Sequence, residues 1–163
     1  HGYSTLKYEY PQMGGEFEVE HSSVMLERLI REGKLKVPAG KLGSVTYHDS
    51  CYLGRMHGIY NEPRKVLAAS GAELVEMERN NAGSFCCGGG GGRMFLEETG
   101  GERINRLRTD MAAQTGAKTV AVACPFCLTM LDDGIKERGL EDKMKVNEIC
   151  ELLLSAIEKE GGK

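Results

Sequence analysis

No apolar run in the chain approaches the roughly 20 residues that a membrane-spanning helix needs. The opening HGYSTLKYEY also lacks the basic-then-apolar layout of a signal peptide. Charge of one sign is missing too: 21 Lys and Arg stand against 24 Asp and Glu, a formal net charge of -3. That balance excludes the basic footprint of a nucleic-acid binder and the polybasic stretch of a membrane-surface anchor. There is no internal repeat, and the one low-complexity tract is Gly88–Gly92. Cysteine is too scarce for a disulfide-dense scaffold, with six in 163 residues, and a chain of this length can build a core without staples. Length and a hydrophobic content of 40% suit one compact domain, residues 1–163. The chain opens on His1 rather than Met, within what reads as a turn entering a helix, so a fragment of a longer protein is expected.

What is present is an alternation of short apolar or β-branched runs with segments of helical period, the pattern of β-α-β units. Strands are predicted over Phe17–His21, Ser44–Asp49, Glu73–Met77, Thr119–Ala123 and Met144–Val146. Helices are predicted over Ser22–Glu32, where Val24, Met25, Leu29 and Ile30 share a face, and from Pro63 at a first helical position to Gly71. Others run over Glu102–Thr115, with Ile104, Leu107 and Met111 on one stripe, Leu128–Arg138, and Glu148–Lys159. Right-handed crossovers turn this series into an α/β three-layer sandwich with a mainly parallel, Rossmann-like sheet. Ligands of such sheets bind beyond the carboxyl ends of the strands.

The cysteines fall on that map unevenly. Cys51 follows the strand VTYHD, Cys86 and Cys87 lie in the loop after ELVEM, and Cys124 ends TVAVA with Cys127 close behind in CPFC. All five therefore emerge at one sheet edge. Cys150 instead sits in the apolar rhythm of VNEICELLLSAI and is expected to be core packing. Between Cys51 and Cys86 lie 34 residues, between Cys87 and Cys124 another 36, and between Cys124 and Cys127 two. Five convergent thiols suit an iron–sulfur cluster better than zinc, because a closed zinc site takes four ligands and leaves one thiolate over. Adjacent cysteines make a strained disulfide, yet both can face a multinuclear cluster if the loop bends sharply, and the glycines that follow supply the bend. Two alternatives stand beside this: a zinc-stabilised interaction domain, and a metal-free thiol-disulfide oxidoreductase using CPFC alone. Nucleotide binding fits poorly, since Arg93 stands where GxGxxG needs its last glycine and no Lys-Ser/Thr follows.

HDSCYLGR, SFCCGGGGGRMF and ACPFCLTML resemble the cysteine-rich, or CCG, domain of heterodisulfide-reductase-related iron–sulfur oxidoreductases. TLKYEYPQMGG, INRLR and the closing helix look like that family's connecting segments, so the likeness covers nearly the whole chain. The resemblance implies a [4Fe-4S] type of cluster, non-cubane in the best-known members of the family, bound by Cys51, Cys86, Cys87, Cys124 and Cys127. It also implies a cytoplasmic-side electron-transfer module, the last cysteine-rich repeat of a larger protein that is membrane-associated through its N-terminal part. Partners would be other cysteine-rich and ferredoxin-like domains of that protein, with electron-transfer flavoprotein and quinone beyond them. Taken alone, the module would not be a complete enzyme.

Four further residues invite a role. His48 and His57 flank the first cysteine and are candidates for a proton donor or secondary ligand, with a satisfied loop histidine as the alternative. Arg55 and Arg93 sit within a few residues of cysteines and are candidates to offset thiolate charge, with surface solvation as the alternative.

Overall fold

The computed structural model describes residues 1–38, 40, 42–96 and 100–161. Strands β1 (Gly43–Tyr47), β2 (Ala72–Leu74), β3 (Thr119–Val122) and β4 (Lys145–Glu148) form one sheet in the order β2-β1-β3-β4, all pairs parallel. The helices are α1 (Gly2–Ser4), α2 (Ser22–Arg31), α3 (Gly54–His57), α4 (Asn61–Ala69), α5 (Ile104–Gln114), α6 (Pro125–Glu137) and α7 (Ile149–Gly161). A π-helical turn over Thr5–Glu9 and a 3-10 turn over Tyr10–Met13 extend α1.

Alternation along β3 shows how the layers form. Val120 and Val122 pack in one core with Ala112 of α5 and Met130, Leu131 and Ile135 of α6. Ala121, pointing the other way, joins Val45 and Tyr47 of β1, Val66 and Leu67 of α4, and Ile149, Leu152 and Leu153 of α7. Helices thus cover both faces of a parallel sheet, the three-layer α/β arrangement expected from the strand-helix alternation. Each fully buried aliphatic side chain stabilises it by about 1.5–3 kcal/mol of transfer free energy.

The strand order could not be read in advance, and it matters most. After β1 the chain moves to β2 on one side, whereas β3 lies on the other, in register Val45↔Thr119 to Tyr47↔Ala121. The switch point therefore falls between β1 and β3, the two strands that lead to Cys51 and Cys124.

Several boundaries depart from expectation. The strand predicted over Phe17–His21 is absent: the segment is irregular, Phe17 is 58% exposed, and His21 instead caps α2, its ring accepting the Ser23 amide at 3.2 Å. Its alternating pattern had no neighbouring strand to pair with. Pro63 is the third residue of α4, which begins at Asn61; a missing N–H is tolerated there because the first-turn amides have no intrahelical partner. Helix α6 begins at Pro125, three residues before the periodic apolar stretch, and so takes Phe126 and Cys127 into its first turn. On α5 the stripe of Ile104, Leu107 and Met111 is not the buried face. Asn105, Arg108, Thr109 and Ala112 are buried, and Leu107 is 37% exposed.

That polar face meets α6 at Gly134. A Cβ there would stand 2.2 Å from Thr109 Oγ1 and 3.0 Å from the Asn105 carbonyl oxygen. Gly134→Ala is expected to destabilise the chain by about 1–3 kcal/mol through overpacking, read as a lower urea midpoint with unchanged slope. An unchanged midpoint would show that α5 and α6 separate freely.

Candidate metal centre

β1 ends at Tyr47, and the three residues after it, His48, Asp49 and Ser50, are all buried. His48 still donates its amide to the Ala121 carbonyl at 2.9 Å, so the path beyond the strand stays attached to β3. Cys51 follows in a turn closed by the Leu53 and Gly54 amides on the Ser50 carbonyl. Cys124 occupies the N-cap position of α6, and Cys127 is buried in the first turn.

The loop after β2 brings the adjacent pair. Cys87 is buried and Cys86 partly so, and the Gly88 amide donates to Cys86 Sγ at 3.3 Å. Gly88 has φ +91°, and a Cβ there would sit 3.2 Å from the Asn105 amide nitrogen and from Ile104 Cβ. Both the positive φ and the close approach to α5 require glycine. The bend turns the loop back so that Cys86, Cys87, Cys51, Cys124 and Cys127 all line one cavity of about 270 Å³ beyond the carboxyl end of the sheet. Its rim includes His1, whose ring lies 3.7 Å from that of Tyr52 and 5.8 Å from that of Phe126.

All five thiols are free. Cys86, Cys87, Cys127 and Cys124 hydrogen-bond one another in a row, which divides the negative charge unevenly. Cys87 is held far below the usual thiol range by the thiols of Cys127 and Cys86, against burial and with help from His48 and the Gly89 amide. Cys86 and Cys127 are correspondingly pushed up, the first by its bond to Cys87, the second by its bonds to Cys124 and Cys87, and both by burial. Cys124 is drawn down to about 6 by the Cys127 thiol, against burial, with the Cys127 and Phe126 amides at the start of α6 assisting.

A buried cation stands behind this anionic array. Arg108 of α5 has no exposed surface, and its guanidinium donates to His48 Nδ1 at 3.0 Å, the Arg79 carbonyl at 2.9 Å and Ser84 Oγ at 3.3 Å. Among the described residues no carboxylate pairs with it. Burial lowers it to about 10, while Asp49, Cys127 and Cys87 favour its charge. The composition gave no hint of this residue; the signal available was an arginine on the Asn105–Thr109–Ala112 side of α5, hidden by the assumption that apolar residues mark the buried face.

A second network joins the two cysteine-bearing loops. Asp49 accepts a bidentate pair from Arg64 of α4 at 2.7 and 2.9 Å, and the Asn81 amide at 2.7 Å. Arg64 also donates to Glu76 at 2.6 and 3.0 Å. Arg55 joins the same loops by donating to the Ser84 carbonyl at 2.8 Å, so its role is to tie chain segments together. Arg93 lies outside the cavity lining. Of the two histidines, His48 is in the site, with its ring atom and the sulfurs of Cys87 and Cys127 mutually within 4.8 Å. His57 is outside it, bonded to Ser4 Oγ at 2.6 Å and stacked on Tyr8. Cys150 is a correction: it is exposed at the start of α7, one position off the buried Ile149, Leu152, Leu153 and Ala156 stripe.

The donor set fits a group that takes several thiolates. Neighbouring Cys86 and Cys87 cannot pair without strain. Ser50 Oγ, on the cavity wall, is buried with no hydrogen-bond partner among the described residues. A buried Arg108 that no carboxylate among the described residues pairs with calls for negative charge close by.

Comparison with known proteins agrees in kind. The chain is 48% identical over 166 residues to the EtfAB:quinone oxidoreductase of Syntrophomonas wolfei, covering 97% of this chain and 23% of that protein. It is 44% identical to the probable iron-sulfur-binding oxidoreductase FadF of Bacillus subtilis, covering 96% and 22%. It is 35% identical to a subunit of the dihydromethanophenazine:CoB--CoM heterodisulfide reductase of Methanosarcina barkeri, covering 95% and 38%. The chain thus spans between about a fifth and two fifths of the length of these relatives. The cysteine-rich domain pattern named CCG matches residues 45–132, just over half of the chain and the part that carries all five site cysteines, and the chain belongs to that family.

Proposed function

We propose that Cys51, Cys86, Cys87, Cys124 and Cys127 bind an iron–sulfur cluster, and that the chain is an electron-transfer module of a larger oxidoreductase. The observation that carries the reading is the convergence of five unpaired thiols on one cavity at the strand switch point, backed by a buried cation that no carboxylate among the described residues pairs with. A bound cluster would supply one-electron redox chemistry. The protein's share is to bring the thiolates together, offset their charge and exclude most of the solvent. Five ligands favour a [4Fe-4S] type, with a non-cubane form as the specific expectation. The name of one relative, EtfAB:quinone oxidoreductase, supports electron-transfer flavoprotein and quinone as partners of the whole protein, and further cysteine-rich or ferredoxin-like domains of that protein belong to the same reading. Among the described residues no helix is long and apolar enough to cross a membrane. A cytoplasmic-side location, with any membrane association made elsewhere in the protein, is part of this reading.

One observation favours zinc as a second reading: His48, Cys87 and Cys127 form a compact buried trio of ligand types. Anaerobic reconstitution with iron, sulfide and zinc in competition separates the two. The expected product is brown, with sulfur-to-iron charge-transfer absorbance and about four irons per chain. A colourless protein with one zinc per chain would overturn the cluster reading.

A further inference from the structure

We infer that Arg108 locks His48 as a hydrogen-bond donor to Cys87, not a metal ligand, and that this donor and the buried guanidinium behind it raise the reduction potential of the cluster. The inference rests on the cluster reading for its second half only. Its first half follows from hydrogen-bond inventory. The Arg108 Nε–H donates to His48 Nδ1 at 3.0 Å. A guanidinium has donors and no acceptor, so Nδ1 presents its lone pair and the single proton of the neutral ring is on Nε2. The ring also faces Cys87, one of its nitrogens lying within 4.8 Å of the Cys87 and Cys127 sulfurs. With Nδ1 occupied by Arg108, the one N–H the neutral ring has to offer the sulfur is Nε2–H.

Ligation would demand the reverse. A His48 bound to metal through Nε2 must carry its proton on Nδ1, where it would face the Arg108 Nε–H across 3.0 Å. Swinging Arg108 aside is obstructed, since the same guanidinium bonds the Arg79 carbonyl and Ser84 Oγ and is wholly buried. The trio of His48, Cys87 and Cys127 therefore resembles a metal site by composition while its proton arrangement opposes one. What the arrangement does instead is stabilise charge on Cys87. Hydrogen bonds to cluster sulfurs and nearby positive charge both favour the reduced, more negative state. Arg108 and His48 are accordingly positioning residues that act through Cys87.

Two measurements test this separately. In the metal-free chain at neutral pH, long-range 1H–15N spectra of the imidazole are expected to show His48 protonated on Nε2 and bare on Nδ1. A ring protonated on Nδ1 would overturn the lock. In the reconstituted chain, His48→Leu and Arg108→Met are expected to shift the potential to more negative values at unchanged iron content. His48→Gln, whose amide reaches the Nε2 position, is expected to stay nearer the wild-type value. Should Arg108→Met not fold, His48→Leu and Arg108→Lys carry the test, the lysine keeping the charge and losing part of the fork. Equal potentials in His48→Leu and wild type would overturn the tuning role. Iron loss in His48→Gln with the spectrum of a replaced ligand would do the same by making His48 a ligand. Failure of the wild-type chain to take up iron would overturn the cluster reading and the tuning role with it, and the nitrogen spectrum would still decide the tautomer.

Discussion

Serine in place of any one of Cys51, Cys86, Cys87, Cys124 or Cys127 is expected to remove most of the iron the chain takes up, or to change the spectrum of what is left. A hydroxyl at neutral pH is a far poorer ligand for iron than a thiolate. The five positions should not behave alike. Cys87 and Cys127 are 5% and 2% exposed, and each hydrogen-bonds the other and further thiols. A serine at either site also leaves a polar group in a buried place, so folding stability should fall by about 1–3 kcal/mol beyond the loss of iron. Cys51 and Cys86 are partly exposed, and their loss should be felt in the metal alone. Cys150→Ser is the control. Since Cys150 is exposed on α7, its substitution should leave iron content intact and stability within about 0.5 kcal/mol. Iron analysis with anaerobic visible spectra of all six variants checks the set. Equal iron loss at Cys150, or undiminished iron at any of the other five, would mean the wrong sulfurs have been chosen.

Arg64→Met should have the largest effect on folding itself. Asp49 is 2% exposed at the side chain and Arg64 13%, and they meet bidentately. The guanidinium also lies 5.0 Å over the Tyr47 ring, and burial, which opposes its charge, is outweighed by the bonds to Asp49 and Glu76. Removing one partner of a buried pair leaves the other charge unpaired, which costs about 3–5 kcal/mol. The Asn81 amide still solvates Asp49, so the lower end of that range is expected. Replacing both residues, as Asp49→Leu with Arg64→Met, should cost less than the sum of the single changes, because the charge left over, Glu76, is partly exposed and no deeply buried one remains. Urea unfolding of the metal-free proteins measures both. Additive losses would show that the pair acts as two independent surface groups. The same variants should bind iron less tightly, since Asp49 ties the Cys51 turn to the segment leading to Cys86.

How far the sequence could be read differs between the sheet and the site. Thr119–Ala123 and Ser44–Asp49 are short β-branched runs, and local composition suffices to mark them as strands of a parallel sheet, while their place as the inner pair was decided by the packing. Phe17–His21 shows the limit of the same logic, since its alternation is local and a strand exists only where a neighbour supplies the hydrogen bonds. Cys150 shows a second limit. Val146, Cys150, Leu153 and Ile157 repeat at helical spacing, and Leu153 and Ile157 do pack on the core, but the buried stripe of α7 is centred on Ile149, Leu152, Leu153 and Ala156 and leaves Cys150 outside it, which only the packing against β1 and α4 decides.

The cysteine spacing, the glycine run and the order of strands and helices are carried by the sequence, because each depends on residue type and near-neighbour pattern. From them follow the α/β class, the family and the emergence of five thiols at one sheet edge. The tertiary structure alone decided that β3 pairs with β1, which sets Cys51 beside Cys124 at the switch point. It also decided that α5 turns Asn105, Arg108 and Thr109 inward against the cysteine loops and carries the cation that faces the thiols. Arg108, His48 and Cys87 are far apart in the chain and none has a local pattern that marks it as a partner of the others. Their juxtaposition exists because one strand end, one loop and one helix are packed together, and a buried charge can be recognised only from the packing around it.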